Sequence, residues 1–219
     1  MPNRFSADEI RALPQILSAP RFATYLNGTG SVPKALSLYH WNAQVSSAFL
    51  FPLHVFEICV RNAAANAVES HYNPSWPWAP AFQRSLPDPP RAFSPRRDLQ
   101  KISNQHATLG KVIAELKFAF WQSLYTSRHD GRLWNSHIFQ EYPNFAAGTT
   151  VSDARDSIYN AIDLVRNLRN RIAHHEPVFG RDLVSDYKVV LGVIEKRCSH
   201  TSAWVNRSQS VFNFLAVKP

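Results

Sequence analysis

The sequence predicts an all-α protein, and three observations carry that expectation. Apolar residues recur at helical spacing through most of the chain. Only 7 glycines among 219 residues leave little turn chemistry for a β architecture. No stretch alternates apolar and polar residues as a half-buried strand would. Hydrophobic residues at 45%, with 14 Phe, 6 Trp and 7 Tyr, are enough for a core and exclude disorder of the whole chain. No linker divides the chain, so residues 1–219 read as a single domain.

Taken in order, Ser6-Ala7-Asp8-Glu9 reads as an N-cap followed by first-turn acids, opening a short helix. A second short helix over 20–26 is expected to stop at Asn27-Gly28. A long helical pattern follows from Pro33 to about Ser70, interrupted by Pro52, where a kink or a split into two helices is expected. In its second half His54, Glu57 and Arg61 share one stripe. Glu57 and Arg61 stand four apart in the favourable acid-first order for a helical ion pair. Residues 73–97 hold seven of the 15 prolines and read as a surface excursion, with Trp76 and Trp78 as candidates for contact with RNA or a partner, whereas Trp41 and Trp121 read as core. Ser94-Pro95 looks like a helix start. Helices are expected at 95–106 and 110–126, a turn at His129-Asp130-Gly131, and a short helix over 132–141. The motif-bearing helix spans about 152–174, with Ser152 as cap, and two further helices fill 181–199 and 202–215.

Twenty-four Lys and Arg against 16 Asp and Glu give a net charge of +8, a balance that attracts polyanions, of which nucleic acid is the commonest. Cys59 and Cys198 form no metal-ligand or CxxC spacing, so neither a zinc site nor a disulfide framework is expected, and a reducing cytoplasm fits. The first residues lack the apolar core of a signal peptide. The longest apolar run, Val45 to Val60, is broken by His54 and Glu57, and no membrane segment is expected.

The helix over 152–174 carries the chemistry. With about 100° per residue, Ile158, Ile162, Val165, Leu168 and Ile172 form an apolar arc. Arg166, Asn167, Asn170, Arg171 and His174 share the opposite side, and Arg169 borders the apolar arc. A basic last turn also opposes the helix dipole, so the arc alone fits a solvated face as well as a site.

The string Arg169-Asn170-Arg171-Ile172-Ala173-His174-His175-Glu176-Pro177 resembles the signature of HEPN nucleases: an arginine, a polar residue and a histidine after four to six intervening positions. LRNRIAHHEP is more closely similar to the Abi-like branch, the bacterial abortive-infection proteins. YHWNAQVSSAFLFPLHVFEICVRNAA at 39–64 and ELKFAFWQSLY at 115–125 agree with that branch. The resemblance implies a HEPN-like helical bundle with additional N- and C-terminal helices, paired as a homodimer so that two motifs meet. It implies a metal-independent RNA endonuclease without cofactor, linked to phage defence. Arg169, Asn170 and His174 would be catalytic, with His175, Glu57, Arg61 and Asn62 supporting. Glu57, Arg61 and Asn62 match the family's E-x-x-x-R-N block. Arg166 and Arg171 would hold the RNA backbone.

His175 also satisfies the loose spacing, so the choice between the two imidazoles stays open; His174 is preferred because it shares a face with Asn170. A non-catalytic HEPN module that binds RNA or a nucleotide is the alternative. Host or phage RNA, a second copy and an antitoxin or other inhibitory partner are the partners the resemblance brings. Control by modification of a tyrosine two residues past the motif histidine does not fit, because Glu176 stands there. A metal hydrolase built on His174-His175-Glu176 is disfavoured, since adjacent helical residues point apart.

Overall fold

The computed structural model describes residues 5–219, which form twelve α-helices and no strand. Ser6 opens α1 (Ala7–Ile16) with a complete capping box: its hydroxyl accepts from the Glu9 amide, and the Glu9 carboxylate accepts from the Ser6 amide at 2.7 Å. The second helix, α2 (Ala19–Thr29), runs past the expected stop at Asn27-Gly28. It ends instead at Gly30, whose φ of 72° is open to glycine at no steric penalty.

The long central helix is α3 (Val32–Tyr72), 41 residues without a break. Pro52 neither splits it nor ends it. Proline inside a helix removes one hydrogen bond and costs about 3 kcal/mol in isolation. Here Pro52 is buried among core residues, and packing along both flanks holds the helix together. By length and apolarity α3 is also long enough to cross a bilayer, and 44% of its most apolar window is buried inside the fold.

The proline-rich stretch departs from its expected role as an excursion. It folds into a 3-10 turn, Trp76–Trp78, and α4 (Pro80–Ser85). Trp76 is fully buried, packed against Phe82, Phe120 and Trp121, and the Trp78 indole donates to the Ser103 carbonyl at 2.9 Å. Both tryptophans hold this segment to the body; Trp76 is closed to outside contact, while Trp78 stays half-buried. The Arg96 guanidinium closes the segment by donating to the carbonyls of Gln83, Arg84 and Leu86. Local proline content said nothing of that clamp.

Ser94 caps α5 (Pro95–Gln105), as expected. The helix expected over 110–126 is two: α6 (Leu109–Glu115) and α7 (Phe118–Leu124). Asp98 explains the division, since its carboxylate accepts from the Lys117 amide at 3.4 Å and pairs with the Lys117 ammonium at 3.5 Å, holding an extended corner there. The expected turn at His129-Asp130-Gly131 is helical as well. A 3-10 turn, Ser127–His129, passes into a π-helical turn, Asp130–Trp134, and then α8 (Asn135–Glu141). Arg155, 5% exposed, holds the Asp130 carboxylate at 2.7 Å and so fixes that unusual turn.

The motif helix is α9 (Val151–Ala173), capped by Thr150 rather than Ser152. After it come α10 (Leu183–Arg197), α11 (Ser199–Ser208) and α12 (Val211–Leu215), so the last expected helix is again two. Helices α2, α7, α8, α9, α10 and α12 all pack on α3.

His129 is 1% exposed, and its Nε2 has no hydrogen-bond partner. Burial, then the nearby Arg132 and Arg128 cations, hold its pKa down to about 4, against the ordinary 6.5. The unfolded chain therefore takes up this proton first as pH falls. Stability contributed by the neutral ring is intact above pH 6.5 and is lost as pH drops towards 4, by up to about 3 kcal/mol. Urea titrations across that window should show the loss, and a His129→Gln variant should flatten it; equal acid slopes in both proteins would remove His129 as its origin.

Candidate functional site

The last turn of α9 stands at the protein surface, with Arg169, Asn170, Arg171, His174, His175 and Glu176 all exposed. Leu168 and Val165 bury the other side against the core. Arg169 lies on the flank facing α3. Its Nε is 3.3 Å from Glu57 Oε2, with the two side chains 48% and 27% exposed. Together with His54, Leu50, Phe51 and Leu53 they line a cleft of about 450 Å³.

Glu57 thus reaches across to α9 instead of pairing with Arg61 along α3, as the spacing had predicted. Arg61 is half-buried, and its Nε is among the buried polar atoms with no partner. Asn62 is exposed and lies about 140° round α3 from Glu57, away from the cleft. Asn62 is therefore parted from Glu57, and Arg61, one turn further along the same stripe, is not among the residues lining the cleft.

The arginines of α9 differ in freedom. Arg166 donates to Gln122 Oε1, and Gln122 also donates to Asp163 at 3.2 Å, so this guanidinium is tied to α7. Arg171 donates to the Pro177 carbonyl at 2.9 Å and lies 3.8 Å from Glu176, bracing the turn that leaves the helix. Among the described residues, Arg169 pairs with the Glu57 carboxylate at the edge of the cleft.

The helix ends in a Schellman arrangement. The amide of Glu176 donates to the Arg171 carbonyl at 2.8 Å and that of His175 to the Ile172 carbonyl at 3.1 Å, with His174 as the C-cap. His175 occupies the left-handed position that glycine usually fills, at φ 56°. Beyond it, the buried Asn42 of α3 accepts from the Val178 amide at 2.7 Å, pinning the chain that leaves the motif. Asn42 was not singled out from the sequence, where an asparagine inside an apolar run carries no sign of its distant partner.

Neither His174 nor His175 lines the cleft that holds Arg169. The five-residue step from Arg169 to His174 is a rotation of about 140°, so one chain presents the cation and the imidazole on different flanks. Among the described residues no group of three or more His, Cys, Asp and Glu is placed to hold a metal ion.

Comparison of the chain with protein-family models, with curated proteins and with solved structures finds no match in any of the three. The fold and the site define an all-helical protein with a basic, surface-exposed motif at the C-terminal end of a helix that packs on the central one.

The left-handed His175 generates a stability prediction. His175→Gly relieves the Cβ crowding at φ 56° and should raise unfolding stability by up to about 1 kcal/mol in a denaturant titration. A destabilised His175→Gly protein would mean that the imidazole makes contacts outweighing the backbone gain.

Proposed function

We propose that this protein is a metal-independent RNA endonuclease of the HEPN type, similar to the Abi-like abortive-infection proteins. The observation that carries the proposal is the exposed Arg169–His174 motif at the end of α9, with Arg169 set in a solvent-open cleft beside Glu57. A buried motif would have removed the reading. The net charge of +8 supports an RNA partner, and the three sequence blocks support the family.

RNA carries its own nucleophile in the 2′-hydroxyl. Attack of that oxygen on the adjacent phosphorus breaks the bond to the 5′-oxygen, giving a 2′,3′-cyclic phosphate and a 5′-hydroxyl. One group takes the 2′-hydroxyl proton and another returns a proton to the leaving 5′-oxygen. Imidazole is the side chain best suited to both tasks near neutral pH. A guanidinium, always charged, grips the non-bridging phosphate oxygens where negative charge grows. Asn170 and His175 flank the motif, Glu57 orients Arg169, and Arg166 and Arg171 would hold the RNA backbone only by leaving Gln122 and the Pro177 carbonyl.

Arg169 and His174 lie on different flanks of one helix end, so the working site is best completed by a second copy of the chain, which supplies the missing imidazole or cation across a two-fold axis. The same separation favours one other reading, a non-catalytic module that binds RNA or a nucleotide at the cleft. A toxin role in phage defence, a cytoplasmic location and an antitoxin partner belong to the proposal through the resemblance.

Purified protein should cleave single-stranded RNA in the presence of EDTA, leaving cyclic phosphate ends. Arg169→Ala and His174→Ala should each slow cleavage by about 100-fold or more. Loss in His175→Ala with full activity in His174→Ala would reassign the catalyst. Binding without cleavage by the wild type would select the non-catalytic module.

A further inference from the structure

We propose that RNA held at the Arg169 cleft continues along one face of α3 into a second site, a groove near the start of that helix that receives a single-stranded nucleotide. The inference rests on the nuclease reading above and names a substrate subsite for it. The groove, about 1060 Å³, lies between the end of α2, the first turns of α3 and the segment after α12. That size suits a small-molecule or nucleotide ligand.

One aromatic ring, the half-buried Phe214, is open to the groove, and Trp41, 3% exposed, lies beneath. The Trp41 indole is fixed by donating to the Phe214 carbonyl at 2.7 Å, and Phe214 itself lines the groove. The Lys218 ammonium stands 5.4 Å from the centre of the Trp41 ring while donating to the Phe179 carbonyl at 2.8 Å. A nucleobase entering there meets the half-buried Phe214 ring, with the Lys218 ammonium at hand for a phosphate. Lys34 offers a second cation at the groove, and Ser37 and Gln44 offer hydrogen bonds to base edges.

The groove is joined to the cleft by the helix itself. His40, Gln44, Ser47, Phe51 and His54 fall within an arc of about 80° on α3, and His40 to His54 spans about 21 Å, the reach of several nucleotides. Before Glu57, α3 carries no acidic residue at all. His54, at the far end, already lines the cleft with Glu57 and Arg169. A face with cations at both ends and no acidic side chain of α3 between them fits a polyanion, which would pass beside the Phe51–Trp204 ring pair. The Phe214 ring at one end favours unpaired bases over a duplex, whose bases already stack on one another, and over an acidic peptide, which has none.

The test compares cleavage of a dinucleotide, too short to reach from cleft to groove, with that of a single-stranded RNA of about 12 nucleotides. Wild type should prefer the longer substrate in kcat/KM. The double variant Lys34→Glu/Lys218→Glu should shrink that preference about tenfold and weaken binding of the longer RNA to match. Lys101→Glu, an exposed charge reversal on α5, serves as the control and should keep it. Circular dichroism of the double variant checks that it folds; if it does not, Gln44→Ala and Ser37→Ala should show the same loss in smaller measure. An unchanged preference in folded variants overturns the subsite while leaving the nuclease intact. Competition by polyglutamate as effective as that by RNA overturns it in favour of an acidic protein partner. Wild type that neither binds nor cleaves RNA overturns the nuclease reading and the subsite together.

Discussion

Every feature of the site depends on α3 running unbroken from Val32 to Tyr72. One flank of this helix supplies much of the core, including Val45, Phe49, Leu53, Phe56 and Val60, each at most 4% exposed. Another carries His54 and Glu57 to the surface beside α9. A rigid element of this length fixes the distance between the groove at its start and the cleft past its middle, which a jointed pair of helices would leave adjustable. The loss of one backbone hydrogen bond at Pro52 is small beside the apolar surface that the continuous helix buries there.

The Glu57–Arg169 pair is the electrostatic counterpart of that rigidity. Both side chains are partly exposed, and a pair of this kind adds about 0–1 kcal/mol to stability. Its value is directional. The carboxylate holds the guanidinium towards the cleft and neutralises it until a stronger anion arrives. On the proposed function, a phosphate reaching Arg169 would take over a fork of donors already held at the cleft. Arg166 and Arg171, each held by neighbouring groups, lack that availability.

The helical class and most helix positions were legible in the sequence because apolar periodicity and capping residues act locally. The Ser6 capping box and the Ser94 cap are cases where side chain and backbone lie within three residues of each other. What the sequence did not show depends on partners far along the chain. Arg155 from α9 makes Asp130 helical where His-Asp-Gly reads as a turn. Asp98 divides a helix that looked continuous from 110 to 126. The tryptophans of the proline-rich stretch face inward because Arg96 folds that stretch onto the body. The same limit applied at the site: the order of Glu57 and Arg61 predicted a pair within one helix, while the carboxylate had a better-placed guanidinium on another. The exposed flank of the motif helix was legible because it needs nothing beyond a count of residues per turn.

The unbroken phase of α3 has a consequence for how this chain can change. A helix that carries core, groove and cleft residues on separate flanks admits no single-residue insertion between Trp41 and Glu57, because one extra residue swings everything downstream by about 100°. Seven added residues nearly restore the angle but lengthen the helix by about 10 Å, parting the groove from the cleft while each stays correctly turned. A change of length that preserves both groove and cleft therefore belongs in the segments between helices, and α3 sets their separation as a ruler does, by its divisions.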